Sequence, residues 1–286
     1  MALTTVNLGT IQETLLITLW ARAVEMNQLD PILSDPRAVD ILTQIDYDFQ
    51  KLFQEKSSQT AVCIRGKAFD QIVSEFLQTH PHTPVLEIGA GLNTRFERLD
   101  DGSLRWFDLD LPDAITVRKS FFEESDRRQF ISASVLETEW IESVKASTDQ
   151  PILFIAEGVL LYFSKQQVKT LFATLAEQFP GSWIVFDAIS QLLLAVRHRF
   201  DAVKHTSAKF QWGIWNIQEI ETWDSRYQLC RSLYTPGDFN QYLTRFPRME
   251  YILMKLFPGF QRMSGVHLVK LRELPTEKQP HLMHQQ

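Results

Sequence analysis

The middle of the chain alternates between short apolar runs and longer amphipathic stretches. The apolar runs predict strands at 84–88, 104–110, 129–133, 151–157 and 183–187. Helical spacing is clearest after Ser164, which caps a predicted helix together with Gln167. Because parallel strands need crossover helices of this length, the pattern predicts a doubly wound, mostly parallel α/β sheet.

The two ends of the chain depart from this alternation. No strand-like run precedes Val85, and apolar residues recur there at helical spacing, so we predict an N-terminal helical cap over residues 1–82 that lies over the site. The core is predicted over 83–272, with 188–225 as an insert over the ligand site.

The last two predicted strands, 227–234 and 265–271, lack a full crossover helix between them, which indicates an antiparallel final strand. Residues 273–286 are polar and form a predicted disordered tail.

A tight glycine turn follows the first predicted strand. Gly89 and Gly91 allow the main chain to approach a ligand where any Cβ would collide. The second strand ends about 20 residues later in Asp108-Leu109-Asp110, where a carboxylate can accept both hydroxyls of a ribose. Thr94 replaces the third glycine of the dinucleotide fingerprint, and Glu87 precedes the turn. The pattern therefore favours a nucleoside cofactor without a pyrophosphate, such as S-adenosylmethionine.

Other polar residues follow the remaining predicted strands. Ser134, Glu157 and Asp187 all stand at carboxyl ends, as the glycine turn and Asp110 do. Ligands of doubly wound sheets bind beyond the carboxyl ends of the strands. We therefore predict one site that gathers these residues.

Composition narrows the possible partners. The 286 residues are 44% hydrophobic, enough for a large core in one elaborated domain. The net charge is -6 and no run of Lys or Arg exceeds two residues, so we expect no nucleic-acid partner. The apolar patch 15–20 is too short to span a bilayer, and we expect a cytoplasmic protein with no membrane partner. Cys63 and Cys230 show no metal or redox spacing, so no metal site is predicted. The sequence leaves the oligomeric state unknown.

Five segments carry a resemblance to a known family, in the order of the chain. They read T-L-L-I-T-L-W-A-R-A-V-E from Thr14, R-G-K-A-F-D from Arg65, E-I-G-A-G-L-N-T-R-F-E-R-L from Glu87, R-W-F-D-L-D-L-P from Arg105, and I-A-E-G-V-L-L-Y-F from Ile155. Together they resemble the leucine carboxyl methyltransferase and tetracenomycin-type O-methyltransferase family. The resemblance implies a Rossmann-like class I methyltransferase fold, with a seven-stranded sheet and methyl transfer to an oxygen, often of a carboxylate.

The same resemblance implies roles for individual residues. Arg65 would pair with the methionyl carboxylate, and Glu157 would lie near the ammonium end of S-adenosylmethionine. Asp110 would take the ribose hydroxyls, with Asp108 as the second choice, while Gly89 and Gly91 would let main chain pass beside the cofactor. Ser134 and Val135 would flank the adenine, although many relatives have Asp-Leu at these two positions. Glu87 either contributes to this cofactor site or only binds nearby main chain.

The acceptor is expected to be a small molecule, and its contacts are the least defined part of the sequence. Arg22, Tyr162, Arg197 and Trp212 are candidates because they fall in the cap, the insert or the segment after the fourth strand. A carboxylate, with a pKa of about 4, needs no base, whereas a phenol, with a pKa of about 10, would want one. No residue stands out as that base, so no catalytic residue is predicted and a carboxylate acceptor, for example on a polyketide-like metabolite, is favoured over a hydroxyl.

Three alternatives remain open at this point. The acceptor could be the C-terminal carboxyl group of a protein. The chain could also be an NAD(P)-dependent oxidoreductase, against which stand the missing third glycine and the lack of a Tyr-x-x-x-Lys pair, since Gln166 lies four residues after Tyr162. Finally, it could bind the cofactor without catalysis.

Overall fold

A computed structural model describes residues 13–49, 56–195 and 209–273. Candidate residue Arg197 lies outside the described residues, as does all of the predicted tail except Glu273. The division at 82/83 and the insert at 188–225 stay predictions.

Seven strands in the described residues form one sheet, in the order β3-β2-β1-β4-β5-β7-β6. Their bounds are β1 Val85–Ile88, β2 Trp106–Asp110, β3 Arg128–Ser132, β4 Leu153–Ala156, β5 Trp183–Ile189, β6 Tyr227–Tyr234 and β7 Ser264–Leu271. The pairs from β3 across to β5 are parallel, whereas β7 is antiparallel to both β5 and β6. The predicted seven-stranded, mostly parallel sheet with an antiparallel last strand is confirmed.

Helices cover both faces of the sheet. They are α1 Glu13–Glu25, α2 Pro36–Leu42, α3 Lys56–Thr79, α4 Arg95–Leu99, α5 Pro112–Arg118, α6 Glu139–Ser147, α7 Lys165–Gln178, α8 Gln191–Ala195 and α9 Arg248–Leu256. The predicted capping box opens α7: Gln167 N donates to Ser164 Oγ at 3.2 Å, and Ser164 N donates to Gln167 Oε1 at 2.9 Å. None of the helices described is long and apolar enough to cross a membrane.

Successive residues of each central strand belong to different cores. In β1, Leu86 and Ile88 pack into one hydrophobic cluster with α6 and α7, whereas Val85 packs into a second cluster with α3. Both faces of the strands are therefore buried, which explains why the sequence shows continuous apolar runs here.

The N-terminal helices α1 and α3 pack against the core and also border the cavity at the carboxyl ends of the strands. Cys63, Phe69 and Val73 of α3 share their core with Val85 and Trp106 of the sheet, so α3 packs directly on one face of the sheet. Arg65 of α3 lines the cavity, as Leu15, Thr18 and Arg22 of α1 do.

Candidate functional site

A cavity of about 310 Å³ opens at the carboxyl ends of β1, β2 and β4. Its volume falls in the range of small-molecule sites. The fold brings together most of the predicted site residues around it: Arg22, Arg65, Gly89, Gly91, Asp110, Ser134, Val135, Glu157 and Tyr162. These residues come from α1, α3, the glycine turn and the segments after three parallel strands.

The glycine turn and Asp110 are hydrogen-bonded to each other at the cavity wall. Gly89 and Gly91 adopt φ values of 68° and 46°, the left-handed region that favours glycine. Gly91 N donates to Asp110 Oδ2 at 2.7 Å, and Leu111 N donates to Asp110 Oδ1 at 2.7 Å. Burial raises the pKa of Asp110, although these amide donors and Arg118 oppose the shift. The carboxylate is therefore fixed in orientation and keeps lone pairs free for ligand hydroxyls.

Arg65 contacts two carboxylates, Glu157 directly after β4 and Asp187 within β5. Its Nε donates to Glu157 Oε1 at 3.1 Å, and its Nη1 lies 3.5 Å from Asp187 Oδ2. Burial would raise the pKa of Glu157, but the positive charges of Arg95 and Arg65 hold it at about 2. Glu157 is therefore ionised at neutral pH and presents a negative charge to the cavity.

Glu87 lies behind the cavity rather than in its lining. It is buried and bonded to Arg95, a fully buried arginine that also contacts Glu157 and Asp70. Burial raises the pKa of Glu87 to about 7 despite the charge of Arg95. Glu87 thus takes part in the ion network that supports Glu157.

The structure does not bring Asp108 into the cavity. Its side chain is fully buried, and it accepts hydrogen bonds from Trp106 Nε1 at 3.1 Å, Arg118 at 3.0 Å and Arg128 at 2.7 Å. Successive residues of a strand point to opposite faces, so Asp108 and Asp110, which are two residues apart, point to the same face. Of the two, only Asp110 lines the cavity. Of the two acids, Asp110 is therefore the one that a ligand in the cavity can reach.

Trp212 likewise lies outside the cavity lining. It is 1% exposed, and its ring packs near those of Phe186 and Trp223 at centroid distances of 6.2 Å and 6.4 Å. The structure therefore places Trp212 in the core and not at a surface where an acceptor could bind.

Two further residues, Asn93 and Arg118, which the sequence analysis did not select, line the cavity or contact the glycine turn. Asn93 lines the cavity and donates from Nδ2 to Glu87 Oε1 at 2.7 Å, which leaves its buried Oδ1 with no partner in the described part of the chain. Arg118 donates to the carbonyls of Gly91 at 2.6 Å and Asn93 at 3.1 Å, and to Asp108. Asn93 could have been suspected because it follows the glycine turn, whereas no spacing rule points to Arg118.

Aromatic and aliphatic residues form the other side of the cavity. The rings of Tyr162 and Phe210 are 5.3 Å apart, with Leu161 and Phe163 beside them. Gln211 N donates to Leu161 O at 2.7 Å, which holds this part of the predicted insert against the segment after β4. No histidine, lysine or cysteine occurs among the described residues that line the cavity.

Ser134 and Val135 follow β3 and line the cavity near Asp110. Ser134 Oγ accepts a hydrogen bond from Leu136 N at 3.2 Å, and Val135 is 9% exposed. Ser134 and Val135 therefore present one hydroxyl group and one apolar side chain to the cavity, and neither residue carries a charge.

Comparisons of sequence find related proteins over most of the chain. The family model described as leucine carboxyl methyltransferase matches residues 15–176. The chain is 32% identical over 219 residues to the tetracenomycin polyketide synthesis O-methyltransferase TcmP of Streptomyces glaucescens, covering 76% of this chain and 80% of that protein. It is 26% identical over 238 residues to the S-adenosyl-L-methionine-dependent methyltransferase dpfgK of Gibberella zeae, with the same coverages of 76% and 80%.

Comparisons of structure support the fold. A Thermobifida fusca protein described as a methyltransferase candidate aligns with a TM-score of 0.56 at 16% identity, covering 88% of this chain and 94% of that chain. A DUF574 family protein from Streptomyces avermitilis aligns with a TM-score of 0.57 at 11% identity, covering 88% and 96%. At these identities the likeness concerns the fold alone.

Proposed function

Because the chain belongs to the leucine carboxyl methyltransferase family, we propose that it methylates a carboxylate oxygen of a small, largely apolar acid. As a member of this family the chain is an S-adenosylmethionine-dependent O-methyltransferase, and not an oxidoreductase. The choice of a carboxylate acceptor is our inference from the residues of the cavity.

The residues present suit S-adenosylmethionine. Asp110, oriented by two main-chain amides, would accept the ribose hydroxyls beside the glycine turn. The unpartnered Oδ1 of Asn93 and the ionised Glu157 would accept from the methionyl ammonium group. Arg65 would pair with the methionyl carboxylate, and Ser134 with Val135 would contact the adenine. When bound, the sulfonium supplies an electrophilic methyl group.

The observation that carries the choice of acceptor is that no described residue of the cavity lining is left to act as a general base, because its two acids, Asp110 and Glu157, are assigned to the cofactor. Tyr162 is the only phenol there, and no described lining residue is a histidine, lysine or cysteine. An acceptor that is already ionised at neutral pH needs no proton removed before it attacks. This supports a carboxylate over a phenol or an alcohol.

The apolar wall and one cation would orient that acceptor. Tyr162 and Phe210 would contact its hydrocarbon body, because such surface gains free energy when it leaves water. Arg22 lines the cavity and would attract the carboxylate, while Asp35 at 2.8 Å and Leu92 O at 2.8 Å hold its guanidinium in place. The protein's remaining task is to align the nucleophile and exclude water.

The test is product identification with purified protein, labelled S-adenosylmethionine and matched acceptors. An aromatic polyketide-like acid should yield a methyl ester that releases its label in mild alkali, whereas the same compound as an amide should yield nothing. A peptide ending in a free leucine carboxyl group tests the alternative of a protein acceptor. Methylation of a phenolic hydroxyl with the acid left untouched would refute the proposal, and so would exclusive methylation of the peptide.

A variant pair separates acceptor binding from cofactor binding. Arg22→Gln should raise the KM for the acid at least tenfold, because a charge-assisted contact contributes about 1.5–3 kcal/mol. The control Arg37→Gln removes the same charge from a half-buried arginine of α2 that does not line the cavity, and it should leave this KM unchanged. Equal KM values in the two variants would exclude Arg22 as the acceptor's cation.

A further inference from the structure

Large apolar side chains are exposed unusually densely at one place on the surface. Ten large hydrophobic residues are exposed in the described chain, and five of them lie between 249 and 260. They are Met249 at 69%, Ile252 at 37%, Leu256 at 67%, Phe257 at 55% and Phe260 at 39% exposure. Scattered exposed residues need no explanation, but a contiguous patch of this kind marks an interaction surface.

The patch is built from α9 and the 3-10 turn Pro258–Arg262 that follows it. On α9, the exposed positions 248, 249, 252, 255 and 256 have the spacing of a single helix face. The opposite side of the helix is tied down, because Met254 is buried and Glu250 accepts from Ser57 Oγ at 2.7 Å. The exposed apolar face is therefore held in a fixed orientation.

Positive charge accompanies the apolar side chains. Arg248, Lys255 and Arg262 are exposed along the patch, and none forms a salt bridge to a described residue. The only acid between 248 and 262 is Glu250, which lies on the tied-down side. A basic, apolar face is thus presented by a chain whose net charge is -6.

This face lies on the same edge of the sheet as the cavity. Ser264, the first residue of β7, pairs with Ile189 at the carboxyl end of β5, so the turn Pro258–Arg262 stands at the carboxyl edge of the parallel strands. Ser57, the contact of Glu250, lies in the first turn of α3, which also carries Arg65.

From these observations we infer that α9 and the turn Pro258–Arg262 dock on the surface of an anionic lipid bilayer, with Leu256, Phe257 and Phe260 entering the headgroup region. Apolar side chains on one helix face with basic residues beside them are the features of interfacial membrane helices. A second copy of the chain fits less well, because a two-fold contact would set the three cations against one another. The sequence analysis expected no membrane partner because no segment can span a bilayer, but docking on the surface requires none.

The test is sedimentation of the purified full-length chain with lipid vesicles. We expect binding to vesicles of phosphatidylcholine and phosphatidylglycerol in equal parts, weak binding to phosphatidylcholine alone, and loss of binding in high salt. Arg248→Gln with Lys255→Gln should weaken binding about 25-fold, at about fivefold for each cation. Phe257→Ser with Phe260→Ser should weaken it at least tenfold, because the buried aromatic area is lost.

Matched controls remove the same groups elsewhere on the surface. Lys119→Gln neutralises an exposed lysine of an exposed ion pair, and Leu29→Ser removes a fully exposed leucine. Both should bind vesicles as the wild type does, and circular dichroism with S-adenosylhomocysteine binding should show that every variant is folded.

Three results would overturn the inference. They are no sedimentation of the wild type with the mixed vesicles, equal losses in patch and control variants, or a patch-dependent dimer in light scattering without lipid binding. The assay needs no acceptor, so its outcome does not depend on the proposed carboxylate specificity.

Discussion

Asp110→Asn is the substitution that tests the cofactor site most directly. Each oxygen of the Asp110 carboxylate accepts one main-chain amide at 2.7 Å, from Gly91 and from Leu111, so each has one further lone pair for a ribose hydroxyl. An asparagine keeps one of these oxygens and replaces the other with an amide group that cannot accept.

The expected loss follows from that geometry. One charge-assisted hydrogen bond to the ribose disappears, at about 1.5–3 kcal/mol, and the other becomes a neutral bond that is weaker by about 1 kcal/mol. The sum of roughly 2.5–4 kcal/mol corresponds to a dissociation constant about 60 to 700 times higher, at 1.4 kcal/mol for each factor of ten.

Isothermal titration with S-adenosylhomocysteine measures this constant. Asp113→Asn is the matched control, because Asp113 lies three residues further along, is exposed and does not line the cavity. Burial raises the pKa of Asp110, and ribose hydroxyls donate more strongly to an ionised carboxylate than to a protonated one. The wild type should therefore bind S-adenosylhomocysteine more weakly as the pH falls through this pKa. Asp110→Asn should lack this pH dependence. An affinity in Asp110→Asn within threefold of that of Asp113→Asn would refute the ribose assignment.

Three further predictions concern the glycine turn, the ion network and the core. Gly91→Val should abolish cofactor binding in calorimetry, because its φ of 46° is strained for a branched residue and a Cβ would lie 2.5 Å from Leu15 Cδ2; normal activity would contradict the turn geometry. Burial raises the pKa of Glu87 to about 7, so the folded state holds a proton that the unfolded state has already lost. The free energy of unfolding of the wild type should therefore fall by up to about 3 kcal/mol as pH rises from about 5 to about 8. Urea titrations should show a smaller fall in Glu87→Gln. Trp212→Ala should cost about 3–5 kcal/mol of stability in thermal and urea unfolding while the cofactor affinity of the folded fraction is kept; the reverse outcome would return Trp212 to the site.

The order of strands and helices could be predicted closely because it depends on local patterns. The strand from Tyr227 to Tyr234 and the capped helix after Ser164 occur as predicted. The helix after the glycine turn does not begin directly behind Gly91 but at Arg95, because the chain continues to turn through Asn93, whose main-chain N–H donates to Ala90 O at 2.9 Å. Such shifts at element ends reflect local turn geometry that apolar spacing does not encode.

The sequence by itself determined the sheet, the glycine turn and the carboxylate at the end of β2, because strand periodicity and chain connectivity place these features without knowledge of distant contacts. Only the tertiary structure shows that Asp110 borders the cavity whereas Asp108 is buried against Arg118 and Arg128. It also shows that Trp212 lies in the core, that Arg118 contacts the glycine turn, and that Arg248 and Lys255 lie beside an exposed apolar face. These outcomes depend on contacts between side chains that are far apart in the sequence. Such contacts produce no regular residue spacing, so they could not be predicted from the sequence.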